Sequence, residues 1–363
     1  MRVGTIGMGQ AGGRIADLLY RHSLYGDHGN ISPVNLAINA ARADLMGLRT
    51  IPKRDRILLG QTEVRGHGVG LVRQMGAKVT KDGLHNVMHI MADRVTEYVD
   101  AYLIVVGLGG GTGSGGAPIV AAEIKDSYHE PVFVLGILPS DEEGKLMASN
   151  AVECLYELLK IVDGIILFDN NLWRREDLPL EQTYKIMNYW LIKPLPLLLG
   201  AGEATRDRVG IKVVDAGDII NSWKGISVLG YSELKVRTWV DKLLPFLKRR
   251  RSSIDELSPT LRTSTLLKNA AASGLSCKCN LSEAQKGLML LAGPRNEINI
   301  EGYSLARKWL EDSIATEQVR GGDYPLDGDS MLHGVLVLSG FDDLARLKDL
   351  REVAAKGVPK PKM

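Results

Sequence analysis

The feature that most constrains this chain is a glycine-rich segment directly behind an apolar stretch. Ala101 to Val106 is predicted to form a buried strand. The segment Gly109 to Gly115, which reads GGGTGSG, follows this strand, and a helix is expected from about Ala117. Glycines cost backbone entropy, and packing alone is not expected to account for so many together. Their benefit is that consecutive N–H groups can approach an anion, with hydroxyl groups adding donors. A flexible linker is not expected between a core strand and a helix, so the segment predicts a phosphate-binding loop.

The first half of the chain alternates short apolar runs with helical patterns, which indicates a parallel α/β sheet. Further predicted strands are Val3–Ile6, Val34–Ile38, Pro131–Leu138 and Gly164–Phe168. Predicted helices include Ile15–Tyr20, Asp93–Tyr98 and Ala151–Lys160.

The second half has a different pattern. Leu180 to about Thr205 is predicted to form one long helix, which Pro194 and Pro196 should either kink or interrupt, since proline removes a backbone donor and crowds the preceding turn. The less regular remainder predicts a separate α+β domain, with strands Lys212–Val214, Gly287–Ala292, Glu297–Ile300 and Met331–Leu338 and helices Leu261–Gly274 and Leu305–Ser313.

The predicted organisation is therefore an α/β chain with a Rossmann-like parallel sheet first. We expect an N-terminal domain at 1–179, a central helix and loop at 180–222, a C-terminal α+β domain at 223–347 and a short tail at 348–363.

The composition excludes few functions but narrows the setting. The formal net charge of +2 is too small to argue for non-specific binding to nucleic acid or membranes. The start resembles no signal peptide, and the apolar run Trp190–Leu199 is too short to span a bilayer. Three cysteines fit a reducing cytoplasm, and Cys277-Lys278-Cys279 has no second cluster nearby to make a metal site, so plain thiols are favoured. The basic cluster 248–251 fits a solvated loop or, alternatively, an anion- or partner-binding patch.

A second glycine motif lies near the start. Gly7 to Gly12 matches G-x-G-x-x-G, which suits a dinucleotide site of the nicotinamide-dependent oxidoreductases. Such a site also requires an acid at the end of the second strand. Asn39 stands there and Asp44 comes late, so this alternative is disfavoured.

The sequence GGGTGSG resembles the signature loop of the tubulin/FtsZ superfamily of filament-forming GTPases, and the resemblance extends from Arg2 to about Leu347. Further loops of the chain resemble the family's other phosphate and ribose loops, although Met147 stands where FtsZ carries an arginine. The resemblance implies that the nucleotide is bound by Gly9, Gln10, Ala11, Gly12, Arg14, Asn39, Gly68, Val69, Gly70, Gly109, Gly110, Gly111, Thr112, Gly113, Ser114, Gly115, Glu143, Asn170, Tyr184 and Asn188.

Two residues of the long helix point to the base. Tyr184 and Asn188 are spaced i, i+4 and so share one helix face. An aromatic ring can cover a purine, and an amide can match the guanine edge with both donors and acceptors. Asn170, after the strand Gly164–Phe168, is expected to approach the same edge, so the expected ligand is GTP or GDP.

The resemblance also implies that catalysis requires a second copy of the chain. Asp215 and Asp218 match the family's acidic loop, which the next subunit supplies, with Val213 in place of an asparagine. These acids would orient the attacking water. The implied assembly is a head-to-tail filament. Mg²⁺ is expected to be held mainly by phosphates and water, with no dedicated protein site.

The combination of loop sequences resembles the archaeal CetZ group, which is implicated in cell-shape control. A division-type GTPase like FtsZ is an alternative. Val213 and Met147 motivate another, a nucleotide-bound scaffold that does not hydrolyse GTP. No membrane partner or shape-determining partner can be identified from the sequence.

Overall fold

A ten-stranded sheet forms the centre of the molecule. The computed structural model describes residues 1–26, 28–94, 98–173, 178–203, 210–236, 257–316 and 318–355. The strands lie in the order β3-β2-β1-β4-β5-β6-β7-β10-β8-β9. They are β1 (Val3–Met8), β2 (Val34–Asn39), β3 (Arg56–Leu58), β4 (Ala101–Gly107), β5 (Val132–Leu138), β6 (Gly164–Asp169), β7 (Gly225–Lys235), β8 (Lys286–Gly293), β9 (Val319–Pro325) and β10 (Met331–Phe341).

Twelve α-helices of the described residues cover the two faces of this sheet. They are α1 (Gly9–Tyr25), α2 (Arg42–Met46), α3 (Arg73–Arg94), α4 (Gly111–Ser127), α5 (Lys145–Leu158), α6 (Asn170–Trp173), α7 (Leu180–Ile192), α8 (Pro194–Ala201), α9 (Ala216–Ser222), α10 (Pro259–Ala272), α11 (Ile300–Ser313) and α12 (Ala345–Ala355). Short 3₁₀ helices span Lys53–Asp55, Asp141–Glu143 and Leu281–Glu283. None of the helices described here is long and apolar enough to cross a membrane.

The strand directions follow from the pairing. Each pair among the first seven strands is parallel, and so is the pair of β8 and β9. β10 alone runs against its neighbours β7 and β8. Nine strands therefore point the same way, and their carboxyl ends lie along one edge of the sheet.

The predicted parallel α/β half is confirmed, with shifted helix boundaries. All five strands predicted there lie where the apolar runs placed them. The helix expected from Ala117 instead begins at Gly111, so most of the glycine-rich segment is helical. Of the helix expected at Asp93–Tyr98, Asp93 and Arg94 lie in α3, residues 95–97 lie outside the described residues, and Tyr98 is not helical. Apolar periodicity missed the start of α4 because glycines carry no such pattern.

The long central helix is interrupted rather than merely kinked. Pro194 has no N–H to give to the preceding turn, so α7 ends at Ile192 and α8 begins at Pro194. Lys193 between them keeps helical dihedral angles (φ −54°, ψ −46°), so the two segments follow one another directly. Helix α8 ends at Ala201, and Thr205, the expected end of the long helix, lies outside the described residues.

The C-terminal half is less separate than predicted, because it extends the same sheet. β7 pairs with β6, and the sheet is continuous from there to β9. Helices α10 and α11 and the predicted strands β8 and β10 are confirmed. Two predicted strands are wrong: Lys212–Val214 lies in a loop, and Glu297–Ile300 is a turn that leads into α11. β7 and β9 were not predicted.

The end of the chain also differs from the prediction. Residues 348–355, which we expected in a tail, belong to α12. Leu347 and Leu350 of this helix are buried in the core. The remaining residues 356–363 and the basic cluster 248–251 lie outside the described residues.

Buried leucines of α8 hold the central helix to the sheet. All eight residues of α8 are buried, and Leu198 is 0% exposed. The same helix anchors the start of the chain, since the amino group of Met1 donates a hydrogen bond of 2.8 Å to the carbonyl oxygen of Leu199.

We expect Leu198→Ala to lower the free energy of unfolding by about 2–5 kcal/mol, because it leaves a cavity under a helix that cannot collapse onto the sheet. The measurement is urea denaturation followed by circular dichroism. The matched control is Leu24→Ala on α1, whose leucine is 48% exposed and whose loss should change stability by under about 0.5 kcal/mol. Equal effects of the two variants would contradict this account.

Candidate functional site

One pocket of about 530 Å³ lies at the carboxyl edge of the sheet. Loops after β1, β2, β4, β5 and β6 line it, and one face of α7 closes it. The carboxyl ends of parallel strands are where α/β proteins bind ligands. A volume of this size is typical of small-molecule sites.

The N-termini of α1 and α4 meet inside this pocket. A Cβ built on Gly9 would lie 3.2 Å from the backbone nitrogen of Gly113, so the two helix ends are in contact. Neither end is capped by a side chain: Met8 precedes α1 and Gly110 precedes α4 without such a hydrogen bond. The first N–H groups of both helices therefore remain as donors, and both helix dipoles present their positive ends. This arrangement favours an anion with several oxygens.

Of the twenty residues predicted to contact the ligand, seventeen line the pocket. They are Gly9, Gln10, Ala11, Arg14, Asn39, Gly68, Val69, Gly70, Gly109, Gly110, Gly111, Thr112, Gly113, Glu143, Asn170, Tyr184 and Asn188. The sequence motifs therefore converge on one place, although they come from positions far apart in the chain.

The remaining three predicted residues, Gly12, Ser114 and Gly115, lie away from the pocket lining. A Cβ on Gly12 would lie 2.0 Å from the carbonyl oxygen of Val105, and one on Gly115 would lie 2.2 Å from that of Arg73. The Ser114 hydroxyl donates to the carbonyl oxygen of Gly110, one turn earlier in the chain. The expectation that packing does not account for the glycine run is therefore wrong in part, since α4 packs too closely for side chains at some of these positions.

Asp44 organises the two polar residues at the mouth of the pocket. One of its carboxylate oxygens accepts a hydrogen bond of 2.8 Å from the Gln10 amide, and the other accepts one of 3.0 Å from the Asn39 amide. Asn39 in turn accepts the backbone N–H of Ala41 with its own side-chain oxygen. Both predicted side chains are thus fixed in orientation by an acid.

Asn150 joins two of the pocket loops and was not predicted. This buried side chain on α5 donates to the carbonyl oxygen of Leu71 at 3.0 Å and to that of Gly109 at 3.1 Å. Leu71 holds a positive φ of 65°, which L-residues with large side chains rarely adopt. Asn150 therefore stabilises the backbone where the loop before α3 meets the glycine-rich segment.

The opposite end of the pocket is lined by α7 and by the end of β6. Tyr184 and Asn188 both line the pocket, as their spacing predicted, together with the apolar side chains of Phe168 and Met187. The Asn170 amide lies 3.5 Å from Glu143 across the mouth. A flat apolar group with a polar edge fits this end, because rings and methyl groups cover its faces while amides meet its edge.

Glu143 also serves the loop that carries it. Its Oε1 accepts hydrogen bonds from the backbone N–H of Ser140 at 2.9 Å and from the Ser140 hydroxyl at 3.1 Å. The bond from the backbone N–H is the return bond of a capping box. Met147, where the resemblance leads one to look for an arginine, lines the pocket and packs against Gly109.

Arg346 ties the last helix to the loops beneath this end of the pocket. Its buried guanidinium donates to Asp169 at 3.1 Å, to Asp141 at 2.6 Å and to the carbonyl oxygen of Pro139 at 2.7 Å. Burial raises the pKa of the Asp169 carboxyl, and the charge of Arg346 opposes that shift. No sequence signal identifies Arg346 or Asn150, because each acts on residues distant in the chain.

The two predicted catalytic acids lie at the other edge of the sheet. Asp215 caps α9 by accepting the backbone N–H of Asp218 at 2.7 Å, and neither residue lines the pocket. α9 leads into the amino end of β7, which pairs with the amino end of β6. A Cβ on Gly164, the first residue of β6, would lie 1.8 Å from the carbonyl oxygen of Trp223 at the end of α9. The acids and the pocket are therefore separated by the length of the strands.

No group of three or more His, Cys, Asp or Glu side chains that could hold a metal ion occurs among the described residues. The carboxylates lining the pocket belong to Asp44 and Glu143, and both already accept hydrogen bonds from protein groups. Cys277 and Cys279 are free thiols, and burial raises the pKa of each.

We expect Asn150→Leu to lower the free energy of unfolding by about 1–3 kcal/mol, because it leaves the carbonyl groups of Leu71 and Gly109 without their donor. Amide hydrogen exchange should become faster in peptides that contain 69–73 and 109–113, while peptides from β8 keep their protection. Ser149→Ala, at the half-buried neighbouring position, is the control. Unchanged exchange in the two loops would contradict the proposed joining role.

Comparison with known proteins agrees over the whole length of the chain. The family model described as Tubulin/FtsZ family, GTPase domain, matches residues 2–176. The one described as Tubulin-like CetZ, C-terminal domain, matches residues 177–356. Tubulin-like protein CetZ3 of Haloferax volcanii is 40% identical over 358 residues, which are 98% of this chain and 92% of that protein.

Two solved structures of the same organism are similar in fold. CetZ1 from Haloferax volcanii, a GDP-bound monomer, has 35% identity and a TM-score of 0.85 and is matched over 98% of this chain and 99% of its own. CetZ2 from Haloferax volcanii, a GTPγS-bound protofilament, has 32% identity and a TM-score of 0.83, with 98% of both chains covered. With its sheet order, its glycine-rich helix start and its full-length similarity, the chain belongs to the tubulin/FtsZ family and, within it, to the CetZ group.

Proposed function

We propose that this chain binds a guanine nucleotide, assembles head to tail into filaments and hydrolyses GTP between neighbouring subunits. The observation that carries the proposal is the placement of the pocket and the acids at opposite edges of one sheet. The relatives support it: CetZ1 from Haloferax volcanii is described as GDP-bound, and CetZ2 as a GTPγS-bound protofilament.

The phosphates of the nucleotide would lie against the two helix N-termini. Backbone N–H groups of Gly9–Ala11 and Gly111–Gly113 converge there, and Arg14 supplies a positive charge at the rim. Residues with side chains, in place of these glycines, would keep phosphate oxygens at a greater distance from much of this backbone. Nothing in the arrangement selects one base over another.

Guanine selection would come from the other end of the pocket. The Tyr184 ring, 48% exposed beside the opening, would cover a purine face. Asn188 and Asn170, which line the same end, would pair with the guanine edge, which offers donors and an acceptor in a row. Glu143 would accept a hydrogen bond from the ribose with Oε2, the oxygen that does not bind Ser140.

Hydrolysis needs a group that positions water at the terminal phosphate, and Asp44 and Glu143 at the pocket are engaged elsewhere. Asp215 and Asp218 are exposed enough to reach a neighbouring subunit, since Asp218 retains 21% of its side-chain exposure. In the filament these carboxylates would orient the water and accept its proton. Mg²⁺ would lie beside the phosphates in the pocket, because the nucleotide and water supply oxygen ligands and the described residues hold no metal-binding group of three or more His, Cys, Asp or Glu side chains. When bound it would neutralise phosphate charge.

Head-to-tail contact follows from this geometry. An interface between two different edges of one subunit is heterologous, and repeating it produces an open filament. A cell-shape role accords with membership of the CetZ group, and we propose it over a division role. The free cysteines accord with a reducing cytoplasm. A nicotinamide enzyme is disfavoured because Asn39 stands where that site needs an acid.

We expect the rate of GTP hydrolysis per molecule to rise with protein concentration, because a lone subunit has a pocket without catalytic acids. The measurement is phosphate release across a concentration series with saturating GTP and Mg²⁺, alongside sedimentation with GTP and with GDP. A rate per molecule that stays flat would argue against a shared site. Bound GTP and filaments without phosphate release would favour the alternative of a non-hydrolysing scaffold, which Val213 and Met147 motivate.

We expect Asp218→Ala to keep nucleotide binding while turnover falls by about 10²-fold or more, because the acid acts on the nucleotide of another subunit. Binding is measured with a fluorescent GTP analogue and turnover by phosphate release. Asp349→Ala, which removes an exposed carboxylate from α12, is the control and should keep both. Loss of nucleotide binding in Asp218→Ala would contradict the catalytic role proposed for this acid.

A further inference from the structure

The side chain of Arg320 lies against Asp218, one of the two proposed catalytic acids. Arg320 is near the start of β9, the edge strand of the sheet, and its guanidinium donates a hydrogen bond to Oδ1 of Asp218. Because β9 runs parallel to β8, and so in the direction of β1–β7, its amino end lies at the same edge as α9. Nothing in the sequence links these two residues, which are 102 positions apart.

Backbone contacts fix the acidic loop to the same strand. The carboxylate of Asp323 accepts the N–H of Ile211 at 3.1 Å and that of Lys212 at 2.8 Å, and the Asp323 N–H donates back to the carbonyl oxygen of Lys212 at 3.0 Å. A Cβ on Gly322 would lie 1.9 Å from that carbonyl oxygen, so the loop rests directly on β9. The strand that carries Arg320 is thus part of the support of Asp215 and Asp218.

The ion pair between Arg320 and Asp218 is poorly suited to stabilising the fold. The Arg320 side chain is 59% exposed, and exposed pairs contribute little to stability because water and salt screen them. The exposure instead leaves most of the five guanidinium N–H groups unburied on the face that would meet the next subunit.

The proposed reaction suggests a role for the ion pair between Arg320 and Asp218. Assembly would bring two carboxylates towards the negatively charged triphosphate of the next subunit, and like charges repel strongly once the interface excludes water. A guanidinium beside Asp218 offsets that repulsion and also restricts the carboxylate to one orientation. Arginine is suited to this because it stays charged and presents a rigid fork of donors.

We propose, on the basis of the function proposed above, that Arg320 is a positioning residue for hydrolysis, which holds Asp218 and compensates its charge at the triphosphate of the neighbouring subunit. It acts through Asp218 and needs no contact with the nucleotide. Its loss therefore affects turnover within assembled filaments more than folding, nucleotide binding or assembly itself.

The test compares Arg320→Met, Arg320→Lys and the control Arg351→Met, all in the full chain. Arg351 on α12 is 49% exposed and pairs with Asp343 just before that helix, away from the acidic loop, so its loss should change none of the readouts. Assembly is measured by sedimentation with GTPγS, and turnover by phosphate release from GTP at protein concentrations where the rate per molecule has reached its plateau.

We expect Arg320→Met to sediment with GTPγS like the parent chain. Its plateau rate of phosphate release should be about tenfold lower than that of the parent chain. Arg320→Lys should recover part of the rate, because it keeps the charge without the fork. A residue that served only the fold would instead change the thermal unfolding midpoint in Arg320→Met, with no graded recovery of the plateau rate by lysine.

Three results would overturn the proposal: a plateau rate of Arg320→Met within about twofold of the parent chain, a faster rate, or failure of both variants to sediment with GTPγS while still folded. Asp218→Ala, measured beside them, separates this proposal from the function on which it rests. If Asp218→Ala is inactive and Arg320→Met is normal, only the role of Arg320 fails. If Asp218→Ala keeps its turnover, the shared site itself fails.

Discussion

The parallel direction of the strands is the constraint on which the rest of this structure depends. Each pair among the first seven strands is parallel, so every connection must return across a face of the sheet, and the loops after the strands gather at one edge. The pocket forms at that edge because β1 and β4 are neighbours and each continues into a helix. Their two uncapped helix starts then meet at Gly9 and Gly113.

The same constraint separates the two parts of the proposed catalytic apparatus. A segment that precedes a strand lies at the amino edge, and α9 precedes β7. The central helices α7 and α8 connect the edges: Tyr184 lines the pocket, while Leu199 near the far end binds the amino group of Met1 at the start of β1. Two helices in direct succession thus run from the proposed base-binding end towards the edge where the acidic loop lies, and buried residues of both pack against the sheet.

The C-terminal half contributes to the pocket as well as to the far edge. Arg346 of the last helix holds the loops after β5 and β6 through three hydrogen bonds. Near the C-terminal end of α7, the hydroxyl group of Tyr189 donates to Glu233 of β7 at 2.7 Å. β9 supports the acidic loop through Asp323. The proposed nucleotide site is therefore continuous with the C-terminal half, because one sheet and these side chains join them.

The sequence by itself determined the strand–helix order of the first half, the position of the glycine-rich segment after β4, and the shared face of Tyr184 and Asn188, because apolar runs, glycines and i, i+4 spacing are local signals. It did not determine β7, β9 or the start of α4 at Gly111, since these depend on neighbouring strands and on close helix packing. Gly115 illustrates the difference. The glycine-rich sequence around it suggested a ligand contact, yet α3 packs against it. Only the tertiary structure decided that Asn150 and Arg346 hold the pocket loops, that Arg320 meets Asp218 and that the acids face away from the pocket. These contacts join residues far apart in the chain, and strand order brings them together.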